Sequence, residues 1–111
     1  MGELIDKVML ESLQGLLADK FDELINVFID DCQARFMRLS SAVLRGEFEE
    51  IRAEAHGIKG SCRNIGANSL ADICALIEDK GRHSDATGLK QDLASAKQQF
   101  AAVSEQLRDY L

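Results

Sequence analysis

From Phe21 to Val43 one apolar stripe runs unbroken, with Phe21, Leu24, Ile25, Phe28, Ile29, Cys32, Phe36, Leu39 and Val43 recurring at helical spacing as far as Gly46. Side chains so spaced share a face only on an α-helix, so about six turns of helix are dictated before anything else about the fold is decided. Glycine at the end of the stripe suits the left-handed residue that closes a helix. The same periodicity returns in four other stretches. Leu4, Ile5, Val8, Met9, Leu13 and Leu16 predict a short first helix ending near Gly15, with Asp19 as the N-cap of the long second one. A third helix is expected from about Glu47 to Gly66, burying Phe48, Ile51, Ala55, Ile58, Cys62 and Ile65. The fourth, capped by Asn68 or by a Ser69/Asp72 capping box, would bury Leu70, Ile73, Cys74 and Ile77 and stop at Gly81. GRHSDATG reads as a loop, and beyond it Leu89, Leu93, Ala96, Phe100, Val103 and Leu107 step by fours and threes, the seam spacing of a bundle helix.

No strand-like alternation appears, and the chain has no proline to interrupt its helices. With 46% hydrophobic but only 5% aromatic residues, the helices are packed by aliphatic side chains. A length of 111 residues suits one domain, here residues 1–111. Short connections between long helices force antiparallel neighbours. The expected fold is therefore all-α, an antiparallel up-down four-helix bundle with a short extra N-terminal helix.

A net charge of −6 argues against a nucleic-acid partner, whose backbone is bound mainly by clustered Lys and Arg. No apolar run approaches the roughly 20 residues of a membrane span, and MGELIDKVML carries acids where a signal peptide would be basic. A cytoplasmic protein, or a soluble piece of a larger one, is expected, with no membrane partner. Cys32, Cys62 and Cys74 are odd in number and lack CxxC spacing, which suggests neither a disulfide framework nor a zinc site. Each falls at an apolar position, as a small core hydrophobe would.

The stretch EAHGIKGSCRNIGANSL sets two glycines, Gly57 and Gly60, beside His56 inside a predicted helix. Each costs a helix interior roughly 1 kcal/mol relative to alanine, so each needs a reason. At about 100° per residue, the apolar face of the third helix centres roughly 130° from His56, so the imidazole points to water. Arg52, Lys59, Gly60 and Arg63 fall within about 60° of it. Residues 51–66 carry a net +2, leaving −8 on the rest of the chain. A cationic, glycine-bared stripe around an exposed imidazole suits an anion held on that ring. Neutral imidazole is a nucleophile without a separate base, and Lys59, one turn along, can screen phosphoryl oxygens. Phosphoryl transfer needs mainly positioning and charge neutralisation, so one exposed histidine can suffice if a partner supplies Mg²⁺ and an acidic pocket.

Other readings of these residues are blander. Lys59 and Arg63 could pair with acids on the next helix for under about 1 kcal/mol each, and His83 reads as exposed loop. A metal site of His56 with Cys62 fails on geometry, because a six-residue offset sends the side chains to different faces. Ser/His or Cys/His dyads lack an orienting acid at a suitable position, and no GxxxxGKS phosphate loop is present.

The stretch AHGIKGSCRNIGANSLADICALIE resembles the signature of histidine-containing phosphotransfer (HPt) domains, with His56, Lys59, Gly60, Gly66, Ala67 and Leu70 at the matching positions. RGEFEEIRAEAH before it and FIDDC of the second helix also resemble the family, so the similarity spans essentially the whole chain. Ile58 replaces a common leucine, Cys62 a small residue, and Gly57 a larger polar one. The resemblance implies a bundle whose phosphohistidine exchanges phosphate with the aspartate of response-regulator receiver domains in a two-component phosphorelay. It implies a phosphocarrier rather than a kinase, no cofactor of its own, and Mg²⁺ supplied by the receiver. In that role His56 is the acceptor, Lys59 stabilises the phosphate and Gly60 gives steric access. Arg52 and Arg63 join the docking face with apolar residues at the edge of the second helix. Partners would be receiver domains and a hybrid histidine kinase, and the chain itself is expected to be a monomer. The alternatives are a phosphoacceptor domain excised from a chemotaxis-type or hybrid kinase, and a helical adaptor with no phosphate chemistry.

Overall fold

The computed structural model describes residues 3–111. Five α-helices follow one another: α1 (Lys7–Leu17), α2 (Phe21–Arg45), α3 (Phe48–Ile65), α4 (Asn68–Arg82) and α5 (Leu89–Arg108), with a single 3₁₀ turn, Ala18–Lys20, between the first two. The described residues contain no strand. The long helices form the expected four-helix bundle, in which α2 packs on α3, α3 on α4, α4 on α5 and α5 on α2. Ile25, Leu39, Ile51, Ile58, Leu70 and Ile77 lie at its centre with no exposed surface. Phe100 closes one side against Phe28 and Phe36, ring centroids 6.4 and 5.2 Å away. Burying such side chains contributes about 1.5–3 kcal/mol each before the entropy of ordering is subtracted.

Gly46 and Gly66 end α2 and α3 as the apolar stripes indicate, each in the left-handed region with φ of +67° and +83°. The tight corner at Gly66 sets α3 and α4 side by side. It also receives α1, because the Asp6 amide donates to the Gly66 carbonyl at 2.8 Å while the Asp6 carboxylate caps the Met9 amide.

Several expected boundaries are corrected. α1 runs through Gly15 to Leu17, and Val8 and Leu16 are exposed, because only Leu10 and its flanking half-buried side chains reach the bundle from this peripheral helix. Asp19 lies within the 3₁₀ turn and caps nothing. The chain passes almost continuously into α2, leaving no open helix end for a side chain to close. Neither Asn68 nor a Ser69/Asp72 box caps α4. Its N-cap is Ala67, without a side-chain bond, since the corner at Gly66 is closed by backbone bonds such as Ala67 N–H to Cys62 O. Gly81 does not stop α4, which continues to Arg82. It is buried because the backbone of α3 crosses there. A β-carbon on Gly81 would lie 2.8 Å from the Arg52 amide nitrogen and 3.0 Å from the Phe48 carbonyl oxygen. Phe48 and Ile73 are only half-buried.

Candidate functional site

Halfway along α3, the imidazole of His56 stands on the outer face, its side chain 62% exposed. Beneath it lies Glu78 of α4, 5% exposed, whose Oε2 is 2.9 Å from His56 Nδ1. The same carboxylate accepts from Lys59 Nζ through Oε1 at 2.6 Å and from Arg82 Nη2 through Oε2 at 3.2 Å. One buried acid thus gathers three basic side chains from two helices. The close crossing at Gly81 brings this part of α4 against α3.

Burial on its own would raise the Glu78 carboxyl, but hydrogen bonds from Lys59 and His56, with their charges, outweigh it and hold the group below the usual glutamate range. Ionised at neutral pH, it can only accept. In the neutral ring Nδ1 therefore carries the proton shared with Glu78, which leaves the lone pair on Nε2. This fixes the imidazole's tautomer and orientation through one contact. A nucleophilic nitrogen is presented to water, while any positive charge gained by the ring is balanced from behind. Lys59 has three N–H donors, so its bond to Glu78 leaves two for an incoming anion.

The two glycines have different reasons. A β-carbon at Gly57 would fall onto the guanidinium of Arg35, which reaches from α2 and is held by Asp31 and Glu54 at 3.1 Å each. At Gly60 a β-carbon would meet nothing within 4 Å. No neighbour inside the chain requires glycine there, and the surface beside His56 is simply left bare.

Of the residues named from the sequence, His56, Lys59 and Gly60 share one face, with His56 and Lys59 meeting at Glu78. Arg52 and Arg63 do not reach that carboxylate. Arg52 is bound to Glu49 one turn earlier at 2.6 Å, and Arg63 is 3.6 Å from Asp72 on α4. The motif names no acid to orient His56, and the fold supplies one in Glu78, which Arg82 joins as a further base. A signal for Glu78 was present: it lies four residues after Cys74 and seven after Ala71, within the apolar face of α4. A charged residue there is almost never buried without partners.

The sequence profile of the Hpt domain matches residues 23–110. The chain belongs to the Hpt domain family. Its Hpt region takes in α3 to α5 and all but the first two residues of α2, and leaves out α1. Among solved structures, the Hpt fold here is similar to histidine-containing phosphotransfer protein B of Pseudomonas aeruginosa PAO1, at 26% identity and a TM-score of 0.94. That match covers 99% of this chain and 96% of the other, so it extends to α1. The histidine-containing phosphotransfer protein ZmHP2 of maize shares the fold at 21% identity and a TM-score of 0.85, covering 96% of this chain and 88% of that one. Comparison with curated protein sequences gives no match. Among the described residues, no helix of this Hpt domain is long and apolar enough to cross a membrane.

Proposed function

We propose that this Hpt domain is a phosphocarrier of a two-component phosphorelay, with His56 as its acceptor and Nε2 as the attacking atom. The observation that supports this most directly is the 2.9 Å contact of His56 Nδ1 with buried Glu78. The Nε2 lone pair attacks the phosphorus of a receiver's aspartyl phosphate. A P–N bond forms as the acyl-phosphate P–O bond breaks, and the aspartate leaves as its carboxylate. The ring is then an N-phosphorylated imidazolium, and because Nδ1 keeps its proton against Glu78, no proton has to leave during transfer. The reverse sequence loads the next receiver. Lys59 donates to the phosphoryl oxygens, and Arg82 holds the Glu78 oxygen that faces the ring.

The residues around His56 do not fit a resident Mg²⁺. Lys59 and Arg82 are cations, and the single carboxylate is already shared among three basic groups. The metal would come with the receiver domain. Docking would use bare Gly60 together with a groove of about 180 Å³ between α2 and α3, lined by Leu24, Val27, Asp31, Ser61 and Asn64. Val27 is 58% exposed there, an apolar edge for a partner to cover. Arg63 flanks the same face. A hybrid histidine kinase is a further partner through its own receiver.

The test is transfer of label from phosphorylated receivers to the wild-type chain and to His56→Gln. The variant removes a solvent-facing ring and should fold normally, yet take up no label. Label retained on another residue of His56→Gln would refute the assignment.

A further inference from the structure

Of the four sides of the bundle, the one between α5 and α2 is the loosest. It lies on the flank of α2 turned away from α3 and His56. Gln33, Met37 and Ser40 point roughly 180° around α2 from Asp31 and Arg35, which face α3. Two openings run along this side. One of about 420 Å³ is walled by Phe36, Met37, Phe100 and Lys97. The next, of about 290 Å³, is walled by Ile29, Ala101, Ser104 and Arg108. They share Gln33 and Phe100 and so form one continuous groove. Met37 at its rim is 72% exposed.

We propose that this groove docks an amphipathic helix of a partner protein, apolar along one face and bearing two acidic side chains about three turns apart. A groove between two long helices is shaped to take the side-chain ridge of a third. The charges select the kind of helix. The only charged side chains lining the groove are Lys97 and Arg108, and in a chain of net charge −6 neither has an acidic partner among the described residues. Eleven residues apart on α5, they point within about 20° of each other and about 16 Å apart along the helix. Two acids at the same separation would meet both. Ser104, 4% exposed on the wall between them, has a hydroxyl without a hydrogen-bond partner. A second copy of this chain docked face to face would set these cations against their own counterparts, which disfavours it. Because α2 separates this flank from His56, the partner helix and a receiver can be bound together.

The test uses fluorescent helical peptides of about five turns with a leucine stripe, identical except for Glu, Gln or Lys at the two positions eleven apart. Binding is read by anisotropy at low salt. Two exposed ion pairs should make the Glu peptide bind roughly fivefold more tightly than its Gln twin, with the Lys twin weakest. Lys97→Glu/Arg108→Glu, both at exposed positions, should invert that order, with amide shifts on binding centred on Met37 and Phe100. Equal binding of the three peptides, binding by none, an order unchanged in the double variant, or shifts centred on His56 would each overturn the proposal. So would a dimer of the chain alone that the double variant dissociates.

Discussion

The guanidinium of Arg35 occupies the space that a side chain on Gly57 would fill, so the residue next to His56 is small because α2 reaches across it. That arm is anchored by Asp31 on its own helix and by Glu54 on α3, and Glu54 is bound from its other side by Arg38 at 2.8 Å. The network stiffens the α2 flank of the site without touching the imidazole.

Alanine should therefore act differently at the two glycines. Gly60→Ala meets open space and gains most of the helix preference, about 0.5–1 kcal/mol of stability by urea unfolding, while slowing transfer from a docked receiver. Gly57→Ala must displace Arg35 from its carboxylates. This cancels the gain and leaves stability within about 0.5 kcal/mol of the parent.

Replacing Glu78 by Gln keeps an acceptor near the ring but removes the charge that balances an imidazolium. Transfer rates should fall roughly tenfold to a hundredfold, the worth of a charge-assisted hydrogen bond, with the fold retained by circular dichroism.

The same carboxylate shapes the acid limb of stability. Its folded-state pKa lies below its unfolded value, so its contribution is complete above the ordinary glutamate range, about 4.3, and is lost as pH falls through the lowered folded value. Urea midpoints of the parent should drop across that interval. Those of Glu78→Gln should change less, because its side chain has no proton to take up.

Gly81→Ala would drive a methyl group into the backbone of Arg52 and Phe48 and push α4 off α3. A loss of about 1–3 kcal/mol is expected in thermal or urea unfolding. Transfer should slow as well, since Glu78 moves with α4.

The three thiols should be silent in the native state. All three are buried and out of reach of a reagent; in addition a hydrogen bond with Cys32 and burial push Cys62 far up, and burial pushes Cys74 up to about 12. Ellman's reagent at pH 8 should therefore report the rate of opening, with full reaction only in denaturant.

Those features legible from sequence depend on one helix at a time. The outward pointing of His56, the stops at Gly46 and Gly66 and the buried stripes of α2 to α5 follow from spacing within a segment. The features that escaped depend on two. Gly81 and Gly46 look alike in sequence, and what separates them is the backbone of Arg52 lying against one and open solvent beside the other. Val8 and Leu16 satisfy the periodicity, but α1 sits at the rim with too little bundle to bury them. Glu78 went unread as a partner of His56 because the residues are 22 apart in the chain and meet only when α3 and α4 fold back at Gly66.

His56 stands on the open flank of the bundle, its side chain 62% exposed. A phosphoramidate formed there would be wet as soon as the receiver that made it let go, so hydrolysis would run as a clock beside signalling. How far a message travels would then depend on whether the next receiver arrives before water does.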